Sequence, residues 1–183
     1  MEAYIDLASD VRARYVRVYG GQERSEPGSV GLLIDSLGRL ADYASQRGVI
    51  LLVENHPGTL TVTGRATAEA VKAVDSGSLR VLYDPANVMA HSDEPPEITF
   101  RLQEGLIEYV HVKDFLILPS GRKSCLVGAG SVPWKDILRW LAASGFSRWF
   151  SLEYEKKWSP RDLPEASEGL PVCRDFLLEN WPG

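Results

Sequence analysis

Five consecutive apolar residues, Val49 to Val53, run without a polar break and stop on a carboxylate, Glu54. The run is too short for a helix and has no polar face, so it predicts a strand covered on both sides, as in a parallel sheet between helices. In such folds ligands gather at the C-terminal ends of the strands. That is where Glu54 falls, with Asn55, His56 and a Pro57-Gly58 turn directly behind it. Three later stretches share the construction: VLYDPAN ends a strand at Asp84, YVHVKD carries His111, and FSLEYE carries Glu153. A Glu, an Asp, a His and a Glu from four successive strand ends make a metal-ligand set.

The rest of the chain reads as alternating elements. Glu2 to Ala13 predicts an amphipathic helix with Ala3, Tyr4, Leu7, Ala8 and Val11 on its apolar face. Arg14 to Tyr19 is β-type and is followed by a polar loop to about Ser29. Val30 to Arg47 is a helix expected to bury Leu32, Leu33, Leu37, Leu40, Ala41 and Ala44, with Gly48 just past its end. A short helix over Thr67 to Val74 is capped by Thr63 or Thr67 and precedes a strand over Leu79 to Tyr83. Asp84 to Asn87 is a turn and the Pro-rich piece around His91 is loop, leading to a helix near Ile98 to Glu104 and a strand over Glu108 to Val112. Phe115 to Lys123 is loop; Pro133 opens a helix burying Trp134, Ile137, Leu138 and Leu141; Ser147 to Leu152 is the fifth strand. A last helix over Pro164 to Trp181 is expected to kink or split at Gly169 and Pro171.

Composition narrows the function classes. With 183 residues, 44% hydrophobic and 25% charged, the chain has the make-up of one globular domain, residues 1–183. A formal charge of −5 gives no electrostatic footprint for nucleic acid or an anionic membrane. Cys125 and Cys173 form no CxxC pattern, and no apolar run reaches membrane-spanning length, so the expected location is the cytoplasm.

Five strands alternating with helices fit either an open doubly wound sheet or part of a (β/α)₈ barrel. Barrel closure is favoured, because it points four consecutive strand ends at one centre. The segments VENHPGT, YDPAN, YVHVKDF, VGAGSVPWKDIL and FSLEYE, in this order, resemble the sugar phosphate isomerase/epimerase family with the xylose isomerase-like TIM barrel. The resemblance runs from about Ala13 to Glu155 and implies metal ligands at Glu54, Asp84, His111 and Glu153. It also makes Tyr15 to Tyr19 the fourth of eight strands, so the chain is expected to hold the last five βα units of a barrel truncated at its N-terminus. A full barrel takes about 250 residues.

The chemistry explains the ligand set on its own terms. Isomerising or epimerising a sugar removes a proton α to a carbonyl through an enediolate, whose charge a divalent ion offsets. Three carboxylates and one imidazole suit one Mn²⁺, Mg²⁺ or similar ion. Glu54 and Glu153 are the expected acid/base pair. Lys113 shares a face with His111 by period-two alternation and is a candidate substrate contact, alongside His56, Asn87 and Arg17. Three of them have a plainer alternative: an ion pair for Lys113, a turn anchor for His56, an outward-facing position for Arg17. Asp114 either orients His111 or Lys113 from behind or starts the following loop, and Gly128-Ala129-Gly130 is either an oxygen-binding backbone or an ordinary loop.

The expected function is a metal-dependent isomerase or epimerase of a sugar or keto-sugar, phosphorylated or not. The alternatives are a dehydratase of inosose or dehydroshikimate type and a non-catalytic fragment of a longer protein. The family's AP-endonuclease branch is disfavoured by the low histidine content and acidic charge. The expected partners are a small sugar and, to cover open sheet edges, a second copy or a missing N-terminal segment.

Overall fold

The computed structural model describes residues 1–22 and 28–182. Its contacts divide the chain into two compact units, the first Met1–Tyr109 and the second beginning at Val110.

The first unit alternates helices and strands: α1 (Glu2–Asp10), β1 (Tyr15–Val18), α2 (Ser29–Ser45), β2 (Ile50–Glu54), α3 (Gly64–Val74), β3 (Leu79–Tyr83), α4 (Pro85–His91) and α5 (Pro96–Gln103), followed by β4 (Ile107–Val112), which crosses the boundary. β1 pairs parallel with β2 from Tyr15↔Ile50 to Val18↔Val53, and β2 with β3 from Leu51↔Leu79 to Glu54↔Leu82. β4 continues the sheet beside β3, where the Val81 N–H donates to Leu106 O at 3.0 Å. The apolar run has no exposed face: Leu51, Leu52 and Val53 are all buried, as expected of a strand covered on both sides.

Which helix faces point inward differs in places from the periodicity. In α1 the buried residues are Ile5 and Ala8, whereas Tyr4 and Leu7 are more than half exposed. In α2 only Leu37, Ala41 and Ala44 are buried, and Leu32 is 69% exposed. An apolar stripe wider than the contact leaves its margin in solvent. α3 starts one turn earlier than expected, capped by Thr63, whose Oγ1 accepts from the Ala66 N–H at 3.1 Å. The Glu94 carboxylate adds to that cap, accepting from the Gly64 and Arg65 N–H groups at 2.8 and 3.1 Å and from Thr99 Oγ1 at 2.7 Å. A Cβ at Gly64 would lie 2.6 Å from that carboxylate, so the close approach requires glycine. The expected turn and loop at residues 84–91 is instead the helix α4. Asp84 caps it and Pro85 takes its first position, an arrangement that suits a residue without an N–H.

The second unit contains the end of β4, β5 (Asp114–Leu118), β6 (Gly121–Cys125), α6 (Trp134–Ala143), β7 (Trp149–Leu152), a 3-10 turn (Glu155–Lys157) and α7 (Ala166–Asn180). β7 lies beside β4, with the Glu153 N–H donating to Val112 O at 2.9 Å. The expected loop over residues 115–123 is an antiparallel hairpin, β5 with β6, from Asp114↔Cys125 to Leu118↔Gly121. Leu116 to Leu118 form an apolar run without clean alternation, so its strand signal is weak. Trp134, Ile137, Leu138 and Leu141 are all buried, as their spacing requires. α7 carries Pro171 inside one continuous helix rather than splitting there.

Candidate functional site

In the first unit, the ends of β2 and β3 bring two carboxylates together. Glu54 is 1% exposed and Asp84 is 0% exposed, and one ligand oxygen of each lies within 4.8 Å of the other. Two buried acids side by side are costly unless cations or hydrogen bonds compensate them. Arg17 supplies one compensation, with its guanidinium 3.3 Å from Glu54 Oε2. The same guanidinium donates to Tyr19 Oη at 2.6 Å and lies over that ring. Arg17 on β1 therefore faces the strand-end site, not the outer helices. His56 stacks on Tyr19, ring centroids 4.4 Å apart, and its Nδ1 lies 2.9 Å from Pro57 O, which ties it to the turn.

Behind the pair is a neutral network. Asn55 is fully buried; its Nδ2 donates to Thr67 Oγ1 at 2.7 Å, and its Oδ1 accepts from the Asp84 N–H at 3.3 Å. Asn87 donates from Nδ2 to Asn55 O at 2.9 Å, while its backbone N–H donates to Asp84 Oδ1 at 2.8 Å. Thr61 Oγ1 donates to Glu54 O at 3.0 Å. Asn87, expected as a substrate contact, thus spends its amide N–H on joining the strand ends. Asn55 carried no functional expectation, yet alternation could have found it: a polar residue after Glu54 points to the helix layer, where only another buried polar group satisfies it.

In the second unit, His111, Lys113 and Glu153 meet. His111 Nδ1 is 3.7 Å from Glu153 Oε2, and Lys113 Nζ is 2.5 Å from the same oxygen. A second carboxylate, Glu155, lies 3.5 Å from Lys113 Nζ. Lys113 is held from behind as well, because Trp134 Nε1 donates to its carbonyl at 3.0 Å. The ion pair weighed for Lys113 is therefore present. Glu155 was missed, although Glu153 and Glu155 are related by the same two-residue step that joins His111 to Lys113.

Asp114 serves the loop. Its Oδ1 accepts from the Phe115 and Val132 N–H groups at 2.8 and 3.1 Å, and its Oδ2 from those of Gly128 and Gly130 at 3.0 and 3.1 Å. None of its hydrogen bonds goes to His111 or Lys113, so the loop-anchoring alternative describes it. The Gly128 and Gly130 N–H groups are committed to this carboxylate, and a Cβ at Gly130 would lie 2.1 Å from its Oδ1. Burial pushes the Asp114 carboxyl up, and the four N–H bonds oppose that shift. Burial, with the Asp114 charge and Cys173 close by, also pushes the Cys125 thiol up to about 12.

Glu54 and Asp84 in the first unit offer carboxylate oxygens, and His111 and Glu153 in the second an imidazole and a carboxylate, donor types that suit a divalent ion. These features define an α/β protein with acid and imidazole side chains at the ends of its sheet strands. The chain belongs to the family described as the xylose isomerase-like TIM barrel, whose model matches residues 1–176. It is 25% identical over 140 residues to an inosose dehydratase of Geobacillus thermodenitrificans, covering 68% of this chain and 47% of that protein. A xylose isomerase-like TIM barrel protein from Mycobacterium smegmatis in complex with magnesium superposes with a TM-score of 0.74 at 19% identity, covering 98% of this chain and 65% of that one. A D-allulose 3-epimerase from Methylomonas in complex with D-allulose gives 0.78 at 13% identity, covering 98% and 67%. The chain spans about half the length of the curated relatives it matches.

Proposed function

We propose that this chain carries the ion-binding part of a metal-dependent sugar or keto-sugar isomerase or epimerase, with Glu54, Asp84, His111 and Glu153 as the ligands of one divalent ion. The observation that carries the reading is the placing of these donors at the ends of the sheet strands, where a parallel α/β fold assembles its chemistry. A bound ion supplies the positive charge that offsets the oxyanion formed as the α-proton leaves. Glu54 and Glu153 take and return that proton. Arg17 fixes one oxygen of Glu54 and Lys113 one oxygen of Glu153. His56, Arg17 and Lys113 are the side chains offered to substrate hydroxyls, while Asn87 acts by holding Asp84 and Asn55 in place. A net charge of −5 supports a small-molecule substrate over nucleic acid, and no helix among the described residues is long and apolar enough to cross a membrane.

The likeness to an inosose dehydratase supports a second reading, dehydration. Loss of an α-proton followed by expulsion of a β-hydroxyl uses the same base, and the Lys113 ammonium gives its proton to the departing oxygen. Titration with Mn²⁺ tests the shared core of both readings: the parent binds one ion, and His111→Ala and Glu153→Ala lose it. Equal binding by parent and both variants would sink the assignment. Mass analysis of products from keto-sugars and keto-inositols separates the two, since dehydration loses water and isomerisation does not.

A further inference from the structure

The Glu153 oxygen nearest the His111 imidazole is the one that Lys113 grips, at 2.5 Å. That oxygen is where an ion shared with His111 would bind, so a cation arriving there meets an ammonium already in contact with its ligand. Like charges this close in a partly buried setting repel strongly. Lys113 has somewhere to go: Glu155 Oε1 is 3.5 Å from Nζ, one short swing of a flexible side chain away. Lys113 is only 13% exposed along its side chain, so retreat into water would require pulling it out of its packing.

We propose that Glu155 is the docking carboxylate for Lys113: ion binding at Glu153 hands the ammonium from Glu153 to Glu155, holding it beside the reacting centre instead of on the ligand. Glu155 is therefore a positioning residue that acts through Lys113. The inference rests on the ion-binding reading above. It assigns a role to a residue two positions beyond the ligand, at the start of the 3-10 turn Glu155–Lys157.

Calorimetric titration of Mn²⁺ into the protein and a set of variants tests it. Lys113→Met removes the competitor and raises ion affinity by about tenfold, whereas Glu155→Gln strands Lys113 on Glu153 and lowers affinity by about tenfold. The decisive measurement is the double variant: with Lys113→Met present, Glu155→Gln changes affinity by less than about twofold, because there is no ammonium to relocate. Lys113→Arg keeps the charge and keeps the sensitivity to Glu155→Gln. Additive effects of the two substitutions mean that each charge acts on the ion separately, and overturn the inference. A parent protein that binds no Mn²⁺ overturns the functional reading and this inference together; a parent that binds it with no coupling between positions 113 and 155 overturns the inference alone. Thermal melts without ion, close to the parent's in every variant, tie the affinity changes to the site and not to unfolding.

Discussion

The two units hold their strand ends by different means. In the first, the backbone at Glu54 and Asp84 is tied into a network of amides and hydroxyls from Asn55, Asn87, Thr61 and Thr67, and Arg17 reaches in from β1 to the Glu54 carboxylate. In the second, Glu153 is 32% exposed along its side chain and is held by charge, through Lys113. Neutral hydrogen bonds to the backbone fix where a strand end lies and are not traded with an incoming ion. An ion pair can be. The first unit therefore fixes its strand ends by neutral bonds, and the second, on the ion-binding reading proposed above, holds a carboxylate whose partner changes when an ion arrives.

The sharpest way to break this contrast is to remove the bases. On the proposed acid/base reading, Glu54→Gln and Glu153→Gln each keep a ligand oxygen and should cut turnover of a sugar or keto-sugar by about 10²- to 10⁴-fold while weakening ion binding only in part. Near-parental turnover in both would end the acid/base assignment. Next in size is the anchor of the second unit. Asp114→Asn turns an NH₂ toward two backbone N–H donors, and should lower stability in urea by about 3 kcal/mol. An unchanged midpoint would show that the loop over residues 128–132 is held by packing alone.

The network behind the first pair gives a smaller effect. Asn55→Ala should cost about 2 kcal/mol and speed amide exchange at Asp84 and Asn87 while leaving exchange in β5 and β6 unchanged. Exchange that rises equally in both units would mean that the network is not local. Least of all, Leu32→Ala on the solvent side of α2 should change stability by no more than about 0.5 kcal/mol, against about 2 kcal/mol or more for the buried Leu37→Ala. Comparable losses at both positions would show that Leu32 is covered in solution.

The parallel strands β2 and β3 were the most legible part of the sequence because each is a short, mainly apolar run closed by an acid. β2 and β3 need no partner information to be recognised, and the helix α6 shows its buried face by spacing alone. What escaped had weak or divided signals. The β5–β6 hairpin has no clean alternation, and α4 hides behind an Asp-Pro pair that reads equally well as a turn. At the site, the strand-end acids and histidine were visible as residue types in position. The residues that hold them were not, because Asn55 and Glu155 matter through atoms that only the folded chain brings into range. Asp114 shows the limit from the other side: its place after Lys113 allowed a role at the reacting centre or at the loop, and its geometry sends its hydrogen bonds to the Phe115 N–H and to the loop at Gly128, Gly130 and Val132.

On the proposed ion-binding reading, Asp84 meets two specifications with one carboxylate. Oδ1 caps α4 through the Asn87 N–H, and an ion would be served by the second oxygen, Oδ2. Lengthening the side chain to Glu would overshoot the cap, and replacing it with Asn would keep the cap but surrender the anionic donor. Among the four donors this position is the least open to exchange, so drift in the sequence should be tolerated at Glu153 or His111 before it is tolerated at Asp84. A library that randomises all four positions and is sorted for folding alone should still return Asp, or its capping substitutes Asn and Ser, at position 84, and should return a broad mixture at position 153.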